Sequence, residues 1–373
     1  LQTRDYKKLS KSASLSFVPV TSTHWLHQAG GIARRYQSKN PTEYNILSKE
    51  EVFKSSDLSM LSPAEKYDLL LGNYDFPLTK QERVSMKNYK NPWEGHCHGW
   101  GVVSLSYDIP NEAVTLKNSD GLKIIFEPQD VIAILSYFEG MKQTPWDYWV
   151  IDHKLPSYLD KYKDHIDKNR VNEMLNSLQS KALRAKLVKT KDLRAKLIEE
   201  TKKYKLDFYS PYVGVINKQM SHQDNDPNPA AMHLVLTNTI GHKDKSKRRG
   251  LIADTDPFKP VWNRPLFGYA YKELSSQKKG EMTYKKIEMS VSFIKELTDP
   301  KAGSIDRKAA ISKKIMNYTL VLNKTGEIIG GTWAKGSDRF DFFWSPFYNQ
   351  NARLSTDKFY QKKWLKLLAR KMH

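Results

Sequence analysis

Cysteine is almost missing from this sequence: Cys97 is the only one in 373 residues. That excludes an intramolecular disulfide and any zinc site built on several thiolates, and it removes the usual marker of an oxidising compartment without proving a reducing one. Long apolar runs are missing as well. No window reaches the roughly 18 consecutive apolar residues of a membrane-spanning helix, so the expectation is a soluble chain with no transmembrane segment. Phosphate-cradling GxGxxG or GxxxxGK[ST] loops, zinc-finger spacings and RNA-recognition signatures are likewise absent. Acidic residues are in short supply, 41 against 61 Lys and Arg, which leaves a net charge of +20. Such a balance attracts nucleic acid, acidic proteins or anionic cell-surface polymers. With no recognition motif beside the charge, nucleic acid is not favoured. Leu1 in place of an initiator methionine fits a mature or trimmed chain whose leader, if any, has been lost.

What is present falls into five stretches of what reads as one catalytic domain. Residues 1–90 are polar and broken by prolines, and their clearest helix is LSPAEKYDLLLG from Leu61 to Gly72. There Ser62 caps, Pro63 fits the first turn and Glu65 completes a capping box. Residues 91–157 hold the cysteine segment and GLKIIFEPQDVIAILSYFEG, a short strand followed by a helix that starts after Pro128. Residues 158–206 read as a charged helical insertion in which LRAKL occurs at Leu183–Leu187 and Leu193–Leu197. From 207 to 350 the texture is that of strands: YVGVI, MHLVLTNTI, GLIAD, LFGYAY, KIEMSVSFI and YTLVLNKTGEIIGGTW, the last with a hairpin signal at Asn323 to Gly326. A basic helix is expected over 351–373. Helices first and an antiparallel sheet later predict an α+β fold.

Chemistry concentrates in NPWEGHCHGWG, Asn91 to Gly101. A thiolate is stabilised near the N-terminal end of a helix, and the apolar run after Gly99 predicts a buried helix with Cys97 near its start. Gly95 and Gly99 would let a substrate approach the backbone. A buried structural cysteine is the bland alternative. A metal reading of His96, Cys97 and His98 is disfavoured, because three consecutive side chains diverge and another ligand from His222 or His233 would be needed.

A cysteine nucleophile requires a base and a group that orients it. Among ten histidines, His233 stands out because it begins the alternating run HLVLTNTI, read as a strand. His24, His27, His165 and His373 read as surface residues. In GLIADTDPF, Asp254 and Asp256 share one face of the next strand, and either could orient the imidazole. The other would cap the Asp-Pro turn.

Immediately afterwards, VWNRPLFGYAYKE (Val261 to Glu273) closely resembles the VWNQP-type peptide of the transglutaminase elicitor family, known from oomycete cell-wall enzymes. LSPAEKYDLLLG, GHCHGW, FEPQDVIAIL, DPNPAAMHLVLTNTIG and LVLNKTGEIIGGTW are similar to the same family and come in the same order, from Leu61 to Trp333. The resemblance implies a transglutaminase-type Cys, His, Asp site on a papain-like α+β scaffold, with Cys97 as nucleophile, His233 as base and Asp254 as acid. Asp256 remains the alternative acid. Arg264 in place of the glutamine, Thr332 in place of a glutamate and the charged stretch 158–205 depart from the pattern.

The activity so implied is acyl transfer from a protein glutamine to a lysine or other primary amine, through a Cys97 thioester, with release of ammonia. Stabilisation of the oxyanion would come from the Cys97 amide with Trp93 or Trp100, and Trp100, Trp262 and Trp333 would wall the groove against water. His96 and His98 become tuning or packing groups. The rivals are a deamidase or thiol protease with the same triad, and a non-catalytic basic binding protein. Substrates would be proteins presenting glutamine and lysine, and the location secreted or cell envelope. No metal is assigned and no cofactor is required. A calcium role stays open because DNDPN, Asp224 to Asn228, is oxygen-rich although it is not an EF-hand loop.

Overall fold

The computed structural model describes residues 3–142 and 229–371, except 90, 257–260, 298, 301–302, 304, 306–307, 309, 341–342 and 345–360. The expected insertion 158–206, with its LRAKL pair, and the strand YVGVI and the DNDPN loop lie outside the described residues.

The N-terminal part holds the helices α1 (Lys49–Lys54), α2 (Pro63–Leu70), α3 (Pro77–Ser85) and α4 (Cys97–Ser106). In α2, Ser62 and Glu65 form the reciprocal capping box expected of them, and every residue of the helix is buried. After two small ribbons, β2 (Tyr107–Asp108) and the β3–β4 pair (Val114–Lys117, Lys123–Phe126), α5 (Pro128–Lys142) follows as predicted. The helix α4 has an apolar residue or glycine at most positions, so it is enclosed on all sides. Its approach to α5 depends on Gly99, where an added Cβ would collide with the backbone of Ser136 and Gly140. Gly95 likewise lies against the backbone of His24 and Trp25. Both glycines therefore serve chain packing, which corrects the expectation that they admit substrate.

The sheet is antiparallel. Its order is β10 (Phe343–Trp344), β5 (Leu251–Asp254), β6 (Asn263–Lys279), β7 (Met282–Ile294), β8 (Ile311–Leu322) and β9 (Ile328–Trp333), with β1 (Ser12–Ser14) added on β6. Alternation along β7 and β8 turns Ile287, Met289, Val291, Phe293, Met316, Tyr318, Leu320 and Leu322 inward. The hairpin after Leu322 is built as the sequence suggests. Gly326 adopts a φ of +84° and Asn323 accepts the amides of Thr325 and Glu327. MHLVLTNTI is a correction: it is not a strand but most of α6 (Pro229–Thr239), which covers the inner face of β8 and β9. Its apolar run is too continuous to distinguish a buried helix from a buried strand by period alone. At the other end of the sheet α4 packs across β5 and β6, and a short C-terminal helix, α7 (Lys362–Leu368), follows the sheet.

Candidate active site

Cys97 is the first residue of α4, with His96 as its cap. Helix start and buried sheet edge meet here. Asn263, the first residue of β6, donates its side-chain Nδ2 to the Cys97 sulfur at 3.6 Å, while its Oδ1 accepts the Trp344 indole N–H at 2.8 Å. Directly across the ladder, Asp254 pairs in register with Asn263. Asp254 is fully buried, and its Oδ1 accepts the amides of Asp256 at 3.0 Å and Trp262 at 2.9 Å. Those bonds tie Asp256 and Trp262, on either side of the β5–β6 connection, to one carboxylate.

Burial pushes the Cys97 thiol up to about 11; the two hydrogen bonds from Asn263 oppose the rise, and the charges of Glu296 and Asp254 add to it. The resting thiol is protonated at neutral pH. Glu296 is held by Arg264 at 3.0 Å, and burial raises its carboxyl above the usual range despite that guanidinium. Sequence reasoning missed Asn263, Glu296 and Trp344. Asn263 stood inside the VWNRP peptide, whereas Glu296 and Trp344 carry no local signal and join the site only through the ion pair with Arg264 and the hydrogen bond to Asn263.

The structure does not bring His233 to this thiol. His233 sits on α6, its Nδ1 2.8 Å from the Tyr318 hydroxyl and its ring among Tyr6, Tyr271 and Tyr318. Tyr271 lies eight residues beyond Asn263 on β6, roughly 26 Å at about 3.3 Å per residue. Burial in that tyrosine cage holds the imidazole down to about 3. The reason for the discrepancy is the helix that replaced the expected strand: α6 docks on β8 and β9, at the far end of the sheet from α4. Of the two aspartates, Asp254 is the one whose charge acts on Cys97. Asp256 is half-buried, and both carboxylates act on Lys314.

The tryptophans separate too. The Trp100 indole N–H is committed to the Val20 carbonyl at 3.2 Å, so it is not a donor for an oxyanion. Trp333 packs edge-on to Tyr318 in the tyrosine region and does not wall the thiol. Trp262 flanks Asn263 and meets the His24 ring edge-on at 5.1 Å. Trp93 is half-buried four residues before Cys97.

His24 and His27 are not surface residues. The chain from His24 to His27 runs antiparallel to Glu94–His96: the His96 amide donates to the His24 carbonyl at 2.7 Å and the His27 amide to the Glu94 carbonyl at 2.9 Å. Burial lowers His24 to about 4, helped by Arg264. Its Nδ1 is enclosed with no hydrogen-bond partner among the described residues. His98 lies against Gly140 of α5, and burial holds it down to about 4.

No protein-family model matches this chain and no curated protein matches it. Among solved structures it is similar to the crystal structure of the GP42 transglutaminase from Phytophthora sojae, with a TM-score of 0.54 and 16% identity over 92% of this chain and 85% of that one. The likeness is one of fold: an α+β, transglutaminase-like arrangement of helices and antiparallel sheet.

Proposed function

We propose that this protein is a cysteine acyltransferase of the transglutaminase kind, related to the elicitor family through the VWNRP peptide. The observation that carries the reading is the thiol itself: it stands at the start of a buried helix, hydrogen-bonded by Asn263 and within the field of Asp254, on a transglutaminase-like fold. In this reading Cys97 attacks the γ-carboxamide carbon of a protein glutamine. The carbon–nitrogen bond breaks, ammonia leaves with the proton it needs, and a thioester remains. A lysine amine then attacks the thioester, forming the isopeptide bond and returning the proton to the sulfur. The Cys97 amide, at the positive end of α4, supports the oxyanion in both steps.

A thiol raised this far cannot wait as thiolate, so its proton must move as it attacks. Glu296 takes that proton in our reading, and the raised affinity of its buried carboxyl suits the role. Asp254 holds the β5–β6 turn and sets the field. His233 has no part in the step. Substrates are proteins presenting glutamine and lysine. The +20 charge suits work against anionic polymers outside the cell, and no described helix is long and apolar enough to cross a membrane.

Incorporation of a labelled primary amine into a glutamine-rich protein tests the proposal. We expect incorporation with stoichiometric ammonia release, both lost in a folded Cys97→Ala variant. Ammonia release that ignores added amine would instead make the enzyme a deamidase. A parent protein with no activity on either assay, and a Cys97 thiol that does not react near neutral pH, would leave the binding-protein reading.

A further inference from the structure

Beside the thiol, three ligand-type side chains converge from separate elements. His27 comes from a short 3-10 turn, His27–Ala29, Glu82 from α3 and His96 from the cap of α4. Their donor atoms all lie within 4.8 Å of one another. Each residue is more than nine-tenths enclosed, at 6%, 5% and 6% exposure.

A buried carboxylate ordinarily faces a guanidinium or an ammonium. Among the described residues Glu82 faces neither: its Oε2 meets His96 Nε2 at 3.3 Å and the Ile32 amide at 3.4 Å. The first of these is long for a charge-assisted hydrogen bond, which runs about 2.7–2.9 Å. It equals the edge of a tetrahedron, since two ligand atoms each about 2.0 Å from a central ion stand roughly 3.3 Å apart.

The surroundings hold this geometry. Gly31, at a φ of +52°, leaves room where a Cβ would come within 2.5 Å of Glu82 Oε2. The His27 ring lies flat on Tyr89, centroids 3.7 Å apart, and edge-on to His96 at 4.5 Å, so both imidazole planes are set.

We propose that His27, Glu82 and His96 form a site for one divalent transition-metal ion, with zinc the best fit. Two imidazoles and one carboxylate suit zinc, whereas calcium and magnesium take sets of oxygens. The ion takes the place of the long His96–Glu82 contact and leaves its fourth position to water. Cys97 is not a ligand, because its sulfur turns to Asn263. Bound metal ties α3 and the 24–27 segment to the residue that precedes the nucleophile.

The experiment uses the full chain, stripped by chelator and titrated with zinc against a chromophoric competitor. One equivalent should bind to the parent and to Cys97→Ser alike, with affinity at least about tenfold lower in Glu82→Gln and in His27→Gln. Equal affinity in all four proteins, or no stoichiometric zinc on the parent, would overturn the site. Cobalt substitution of the parent guards against variants that fail to fold: intense visible absorption of four-coordinate cobalt supports the proposal, and only weak six-coordinate bands refute it. Excess calcium should leave the bound zinc in place, and its displacement by calcium would equally refute the assignment.

Discussion

The charges of Glu296 and Asp254 both raise the Cys97 thiol, and that effect can be measured one residue at a time. Replacing Glu296 by glutamine removes a negative charge that raises the Cys97 thiol and frees the Arg264 guanidinium. The sign follows directly: with less opposing charge the thiol pKa falls and more thiolate is present. Iodoacetamide should then modify Cys97 about three- to tenfold faster at pH 8, corresponding to a shift of half to one unit. Amine incorporation should fall in the same variant if Glu296 accepts the proton. A parallel rise in both rates would remove it from that role. Asn263→Ala acts oppositely on the thiol. It deletes a donor to sulfur and an acceptor of the Trp344 indole N–H, so slower alkylation and a loss of about 1–3 kcal/mol in urea unfolding are expected.

At the scale of elements, α4 is held by close backbone approach and by charge buried behind it. The Cβ of a Gly99→Ala variant would meet the Ser136 carbonyl within bonding range, so α4 and α5 must part. A destabilisation of about 1–3 kcal/mol should appear as a lower urea midpoint. Behind α5, Lys66 of α2 and Asp130 of α5 form an ion pair at 2.5 Å with both side chains fully enclosed. Lys66→Ala alone strands the carboxylate and should cost about 3–5 kcal/mol, whereas the Lys66→Met, Asp130→Leu pair should be close to neutral. Additive losses in the double variant would contradict this account.

At the scale of the whole molecule, the +20 charge predicts retention on an anionic polymer matrix that weakens steadily with added salt. Cys97→Ala should elute with the parent, because that attraction is a property of the surface and not of the thiol. Separate elution would tie the polymer to the surroundings of Cys97 instead.

Local patterns were legible where one segment decides its own structure. The Ser62–Glu65 box, the strand and helix around Pro128, the turn at Asn323 to Gly326 and the helix beginning at Cys97 were all readable, because caps, turn residues and periods act over a few positions. The sequence also marked Cys97 and Asp254 as chemistry-bearing residues, and the VWNRP peptide contained Asn263. It could not say which distant groups would surround them. His233 looked like a base until α6 docked beneath the tyrosines of β6 and β8, and His24 and His27 looked like surface until their chain paired with Glu94–His96. Composition and local period determined the α+β class and the helix that carries the thiol. Only the antiparallel register, which sets Asp254 opposite Asn263 and brings Asn263 to Cys97, decided the site, because strand pairing joins residues that no local interaction links.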